Sequence, residues 1–114
     1  MSQESVPKEI IYYVTAQGEE PFIQWLDGLS DRRSRNRIRT KIHRVSLGNL
    51  GDHKSVGDGV FELRLDYGPG FRVYCGFEGD ALVVLLCGGD KSSQEKDIQL
   101  AQTYWEDYRS RDDA

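Results

Sequence analysis

The chain is poor in cysteine, proline and histidine and has no long apolar run. Among its 114 residues there are two cysteines, three prolines and two histidines. Cys75 and Cys87 both fall inside apolar, strand-like stretches. That placement reads as two reduced core thiols of a cytosolic protein and not as a disulfide framework. His43 and His53 form no closely spaced ligand pair with each other or with the cysteines, so no metal centre and no cofactor are expected. No stretch approaches the roughly 18 apolar residues of a membrane helix. Met1 to Val6 carries no basic residue followed by an apolar run, which is unlike a secretory signal. The expected location is the cytoplasm. A strongly basic balance is missing too. The net charge is −4, which argues against a wholly basic nucleic-acid binder.

What is present is unevenly distributed. Asp31 to Arg44 holds seven Lys or Arg against one Asp, whereas Asp90 to the end holds seven acidic residues against four basic ones. A local basic surface can therefore exist on an acidic protein. It could meet nucleic acid, or an acidic segment of a partner. The length suits one domain, residues 1–114, since halves would be too small to bury a useful core.

Ile10 to Val14 is β-branched and aromatic and reads as a first strand. Glu19-Glu20-Pro21 opens a helix: acids suit the positive end of its dipole, and proline suits the first turn. Phe22, Leu26 and Leu29 recur at helical spacing. A second helix follows from about Asp31 to Leu47, with a thin apolar stripe of Ile38, Ile42 and Val45. Gly48 to Gly59 is rich in turn residues. In Phe61 to Tyr67 apolar and charged residues alternate, and Phe71 to Phe77 alternates again, with Gly68-Pro69-Gly70 as the turn. Ala81 to Cys87 is apolar throughout, as in a central strand covered on both faces, and Gly88-Gly89 ends it. Ser92 to Glu95 resembles a capping box with Ser92 as N-cap. The last helix runs to about Tyr108, with Ile98, Ala101, Trp105 and Tyr108 on one stripe. The order β-α-α-β-β-β-α predicts an α+β fold: a small, twisted, mainly antiparallel sheet with a helical hairpin on one face.

With residues 68–70 as the loop, Asp66 sits opposite Arg72 and Arg64 opposite Tyr74. Arg64 and Arg72 become diagonal neighbours on the outer face, in a row with Glu62. Two guanidinium forks within about 8 Å suit a phosphate. The same pattern also suits a solvated face with an Asp66–Arg72 pair. Lys91 precedes a helix N-terminus, where an anion is favoured. The Gly-Gly-Asp-Lys-Ser run is not a P-loop. Asp90 stands where a glycine must precede the lysine, and Leu85 occupies the place of the first glycine. His53 and Lys54 lie in the loop before the hairpin, and a histidine can transfer protons near neutral pH.

One ordered set spans the chain from about Ile10 to Tyr108. It comprises Phe22-x-x-Trp25-Leu26, the arginine-rich second helix, Gly59-Val60-Phe61-Glu62-Leu63-Arg64, Gly70-Phe71-Arg72-Val73-Tyr74, and Leu85 to Lys91 before a helix. This set resembles the RelE/ParE toxin superfamily, and most nearly its HigB-like branch of addiction-module killer proteins. The resemblance implies the toxin of a type II toxin–antitoxin pair, with a RelE-like fold. It implies a metal-independent mRNA endoribonuclease, ribosome-associated, that arrests growth. Its expected partners are mRNA, the ribosome and a cognate antitoxin with a helix-turn-helix DNA-binding domain. By position it places Arg64 and Arg72 in the active-site hairpin, stabilising charge at the phosphorane, with Lys91 or Tyr74 as helpers. Lys54 and His53 join the arginines in RNA binding. RelE-type enzymes carry lysines where this chain has Val60 and Glu62, so Glu62 is a candidate base. The alternatives are a ParE-like inhibitor of DNA gyrase without nuclease activity, or an inactive homologue serving as a binding module.

Overall fold

The computed structural model describes residues 6–112, so the reading of Met1 to Val6 lies, but for its last residue, outside the described part. Strand β1 (Glu9–Tyr12) leads to helices α1 (Pro21–Gly28) and α2 (Arg32–Ser46). Strands β2 (His53–Ser55), β3 (Val60–Arg64), β4 (Phe71–Glu78) and β5 (Leu82–Asp90) follow. A 3-10 turn at Lys91–Ser93 then enters helix α3 (Gln94–Asp112). The strands form one sheet in the order β1-β5-β4-β3-β2. Strand β1 runs parallel to β5, and the other neighbours are antiparallel. The α+β class and the mainly antiparallel sheet are as the sequence predicts.

The sheet is buried on both faces. On one, Phe22 and Leu26 of α1 and Ile38 and Val45 of α2 pack against Leu63, Val73, Val83 and Leu85. Proline opens α1 at its first turn, where a missing N–H costs nothing. On the other face, Ala101 and Trp105 of α3 pack against Val60, Tyr74, Val84 and Leu86. Two-sided burial explains why β5 is apolar from Leu82 to Cys87. It also explains two strand glycines. A Cβ on Gly88 would lie 2.2 Å from the Trp25 ring, and one on Gly76 would lie 2.4 Å from the Trp105 ring. Each tryptophan lies flat against backbone that only glycine leaves bare. Cys75 and Cys87 are free and buried. Burial pushes both thiols up to about 12, which makes them inert packing groups.

Several local readings shift. The turn-rich stretch before the hairpin contains β2, a three-residue edge strand too short and polar to show a period. Strand β5 continues through Gly88 and Gly89 to Asp90, because both glycines still pair with β4. The cap before the last helix is built by Asp90 and Ser93 and not by Ser92 and Glu95. The Asp90 carboxylate accepts from the Ser92 N–H at 2.8 Å. Helix α3 runs past Tyr108 to Asp112. Between β4 and β5 the register slips at Tyr74 and Cys75, so Tyr74 pairs with Cys87 but Cys75 with Leu85. This bulge brings Gly89 opposite Arg72.

Gly88→Ala is expected to lower stability by about 1–3 kcal/mol, since the Trp25 ring must shift to admit the methyl. Urea unfolding should show a lower midpoint at unchanged m-value.

Candidate functional site

The site starts from the register of the β3–β4 hairpin. Arg64 pairs with Arg72 and Glu62 with Tyr74. The expected partners, Asp66 for Arg72 and Tyr74 for Arg64, are therefore displaced by two residues. The cause is a longer reversal. The Leu65 N–H donates to the Phe71 carbonyl at 3.0 Å, and the Gly70 N–H closes the turn on the Tyr67 carbonyl at 3.1 Å. Gly68 and Gly70 supply the positive φ values of 57° and 82° that this path requires. A slip of two keeps every side chain on its face. Asp66 is left exposed in the loop, and no ion pair joins it to Arg72 among the described residues.

Directly opposed residues have Cβ atoms about 4.5–5.5 Å apart, and like charges so placed repel. The compensating charge is Glu62. Its Oε1 accepts from Arg64 Nε at 2.9 Å and lies 3.8 Å from Arg72 Nε. Its Oε2 accepts from the Tyr74 hydroxyl at 3.2 Å and from Gln94 Nε2 at 2.7 Å. Arg72 Nη1 donates to the carbonyls of Gly70 and Phe71 at 3.1 and 3.3 Å. Arg72 Nε is buried and makes no hydrogen bond.

This face is not solvated, as its charge alternation allowed. Helix α3 roofs it, and Glu62 and Tyr74 are fully buried. Gly89, opposite Arg72, has no side chain in the way. A Cβ there would fall 1.8 Å from the Asp97 carboxylate of α3. The two arginines differ in access: the Arg64 side chain is 31% exposed and that of Arg72 10%.

Burial alone would raise the Glu62 carboxyl, but the hydrogen bonds from Gln94, Arg64 and Tyr74 outweigh it and hold the group below its ordinary value. Glu62 is thus an ionised carboxylate with both oxygens engaged. Burial, and then the Glu62 charge, push the Tyr74 hydroxyl far above its usual range, so it remains a neutral donor.

The structure assembles most of the residues singled out in the sequence. Glu62, Arg64, Arg72 and Tyr74 form one cluster. Lys54 pairs with Glu62 in the register, on the same face at the exposed sheet edge. Lys91 is exposed beside the hairpin tip, where a Cβ on Gly70 would lie 3.5 Å from both Arg72 Nη1 and Lys91 Cβ. His53 is separated from the rest. It pairs with Leu63, which puts it on the opposite face, and its Nδ1–H donates to the Gly51 carbonyl at 2.8 Å. Gln94 completes the cluster. It reaches Glu62 across 32 residues of sequence, and no local pattern marks such a contact.

Two similarities bear on this arrangement. Residues 24–106 match the family of phage-derived Gp49-like proteins (DUF891), a stretch that contains the whole cluster. An uncharacterised protein of Haemophilus influenzae is 52% identical over 81 residues, covering 71% of this chain and 82% of the relative.

The lowered Glu62 value sets a sign for acid unfolding. The group stabilises the fold above its ordinary value of 4.5, and that contribution is lost as pH falls through the lower folded value. Glu62→Gln should remove this part of the pH dependence below about pH 4.5. Urea midpoints measured from pH 3 to pH 7 check it; parallel curves for the two proteins would contradict it.

Proposed function

The chain belongs to the Gp49-like family of phage-derived proteins, a family of RelE-like toxins, and from that premise we propose that it is the toxin of a type II toxin–antitoxin pair that cleaves mRNA. The observation that carries this reading is the Arg64–Arg72 pair, opposed across two strands and tied to one buried carboxylate. Holding two guanidinium groups together in advance is costly, and the arrangement is useful to a ligand with two negative oxygens. A phosphodiester approaching the pentacoordinate state is such a ligand.

In the reaction the ribose 2′-oxygen attacks the adjacent phosphorus and the bond to the 5′-oxygen breaks. The products are a 2′,3′-cyclic phosphate and a 5′-hydroxyl. The proton lost at the 2′-oxygen is balanced by one gained at the 5′-oxygen. Arg72, recessed and fixed by backbone carbonyls, and Arg64, at the surface, stabilise the charge on the non-bridging oxygens. Lys91 adds positive charge at the hairpin tip, and Lys54 holds the strand at the sheet edge. Glu62 positions the two arginines. Its engaged oxygens and lowered pKa argue against the role of general base. Tyr74 supports Glu62 from within the core. His53, on the other face, stands apart from the RNA-binding surface formed by Lys54, Arg64 and Arg72. The reaction occurs in the cytoplasm on ribosome-bound mRNA, and an antitoxin with a helix-turn-helix domain silences it. We place it in the HigB-like branch, which its order of motifs resembles.

Arg72→Ala should abolish growth arrest on induction and lower cleavage by a factor of about 10²–10³, the loss typical of one removed charge-stabilising donor. Primer extension on mRNA from expressing cells reads the cuts. Gyrase–DNA cleavage complexes with intact mRNA would overturn the nuclease in favour of a ParE-like inhibitor.

A further inference from the structure

A second basic feature lies beside the hairpin, on helix α2. Arg37, Lys41 and Arg44 stand at i, i+4 and i+7 and so share one face, spanning about 10 Å along the axis. That face looks across a cleft of about 400 Å³ whose other wall is Arg64 to Tyr67, the end of β3 and the start of the hairpin turn. Arg37 stacks over the Tyr67 ring with its guanidinium carbon 4.6 Å from the ring centre. Lys41 Nζ donates to the Asp52 carbonyl at 3.2 Å. Among the described residues none of these three α2 cations is ion-paired with a carboxylate, and Asp66 is the one acid lining the cleft. The Asp52 charge offsets Lys41 only in part, and cations along one wall repel one another and are relieved by an anion between them.

We infer that this cleft is a second phosphate subsite, in which Arg37, Lys41 and Arg44 hold the backbone of a single-stranded RNA next to the segment seated on Arg64 and Arg72. The inference rests on the nuclease reading for the identity of the strand. Continuity favours RNA over an acidic peptide, because Arg64 borders both the cleft and the guanidinium pair. The stacked Arg37–Tyr67 pair also offers a flat cationic platform, which suits a base as well as a phosphate. Burial lowers the Lys41 ammonium, and a phosphate oxygen beside it would reverse that shift.

The test compares two double variants of the full chain, each lacking two exposed charges of the same helix. Arg37→Ala/Arg44→Ala empties the cleft wall, and Arg32→Ala/Arg39→Ala alters the opposite side of the helix. Binding of a fluorescent, fully 2′-O-methylated oligoribonucleotide, which cannot be cut, is measured from 50 to 200 mM salt. The cleft variant should bind at least tenfold more weakly, and its salt slope should fall by about 1.4, at roughly 0.7 per phosphate contact on a single strand. The control variant should match the parent protein. Equal losses in both variants would overturn the subsite, as would a parent protein that does not bind the oligonucleotide. So would a cleft variant that binds RNA normally but loses a cognate antitoxin. Primer extension on cells expressing the parent protein separates the two claims. Mapped mRNA cuts with no effect of the cleft variant on binding sink the subsite alone. Selective loss of binding with no cuts anywhere sinks the nuclease alone.

Discussion

The buried Glu62 carboxylate holds together the strands, the last helix and the two arginines. Opposed arginines on adjacent strands repel, and their burial under a helix would be costlier still. One carboxylate shared between them turns repulsion into a closed network. Tyr74 and Gln94 fill the remaining acceptor sites, so neither oxygen is left bare. Removing one partner of a buried pair typically costs about 3–5 kcal/mol, because the other is left uncompensated. Fold and site are linked through this one group.

The network exists because both sheet faces are covered. Helices α1 and α2 seal one side with aliphatic and aromatic side chains, which frees the other for mixed chemistry. There α3 covers the hairpin base with Trp105 and Ala101 and reaches the polar end with Gln94. The β4–β5 bulge sets Gly89 opposite Arg72, and the missing side chain there lets the Asp97 carboxylate of α3 close onto the strand. The low dielectric under the helix strengthens each contact and penalises any unpaired group. Arg72 Nε is the one buried side-chain polar atom without a hydrogen-bond partner among the described residues, though it faces Glu62 Oε1 at 3.8 Å.

Much of the fold could be read from the sequence, because periodicity reports faces. The alternation in Phe61 to Tyr67 and Phe71 to Phe77 assigns each side chain to a face, and those assignments hold in the structure. Register is a different quantity. A three-residue and a five-residue reversal present the same faces, so the pairing slipped by two while Arg64 and Arg72 stayed on one side. Charge alternation also suggested a solvated face. What buries it is α3, whose apolar stripe was visible but whose docking site was not. The contact between Gln94 and Glu62 is invisible for the same reason: it depends on where two distant elements meet. Strand β2 leaves no periodic signal, because His53-Lys54-Ser55 carries no apolar residue.

On the nuclease reading proposed for this chain, single-turnover cleavage of ribosome-bound mRNA by Glu62→Gln, followed from pH 5 to pH 9, tests the central claim most directly. If Glu62 positions the arginine pair, the variant retains the shape of the parent's pH–rate profile with its rate lowered throughout. A variant as fast as the parent, or one that loses a pH-dependent limb the parent shows, would contradict that claim.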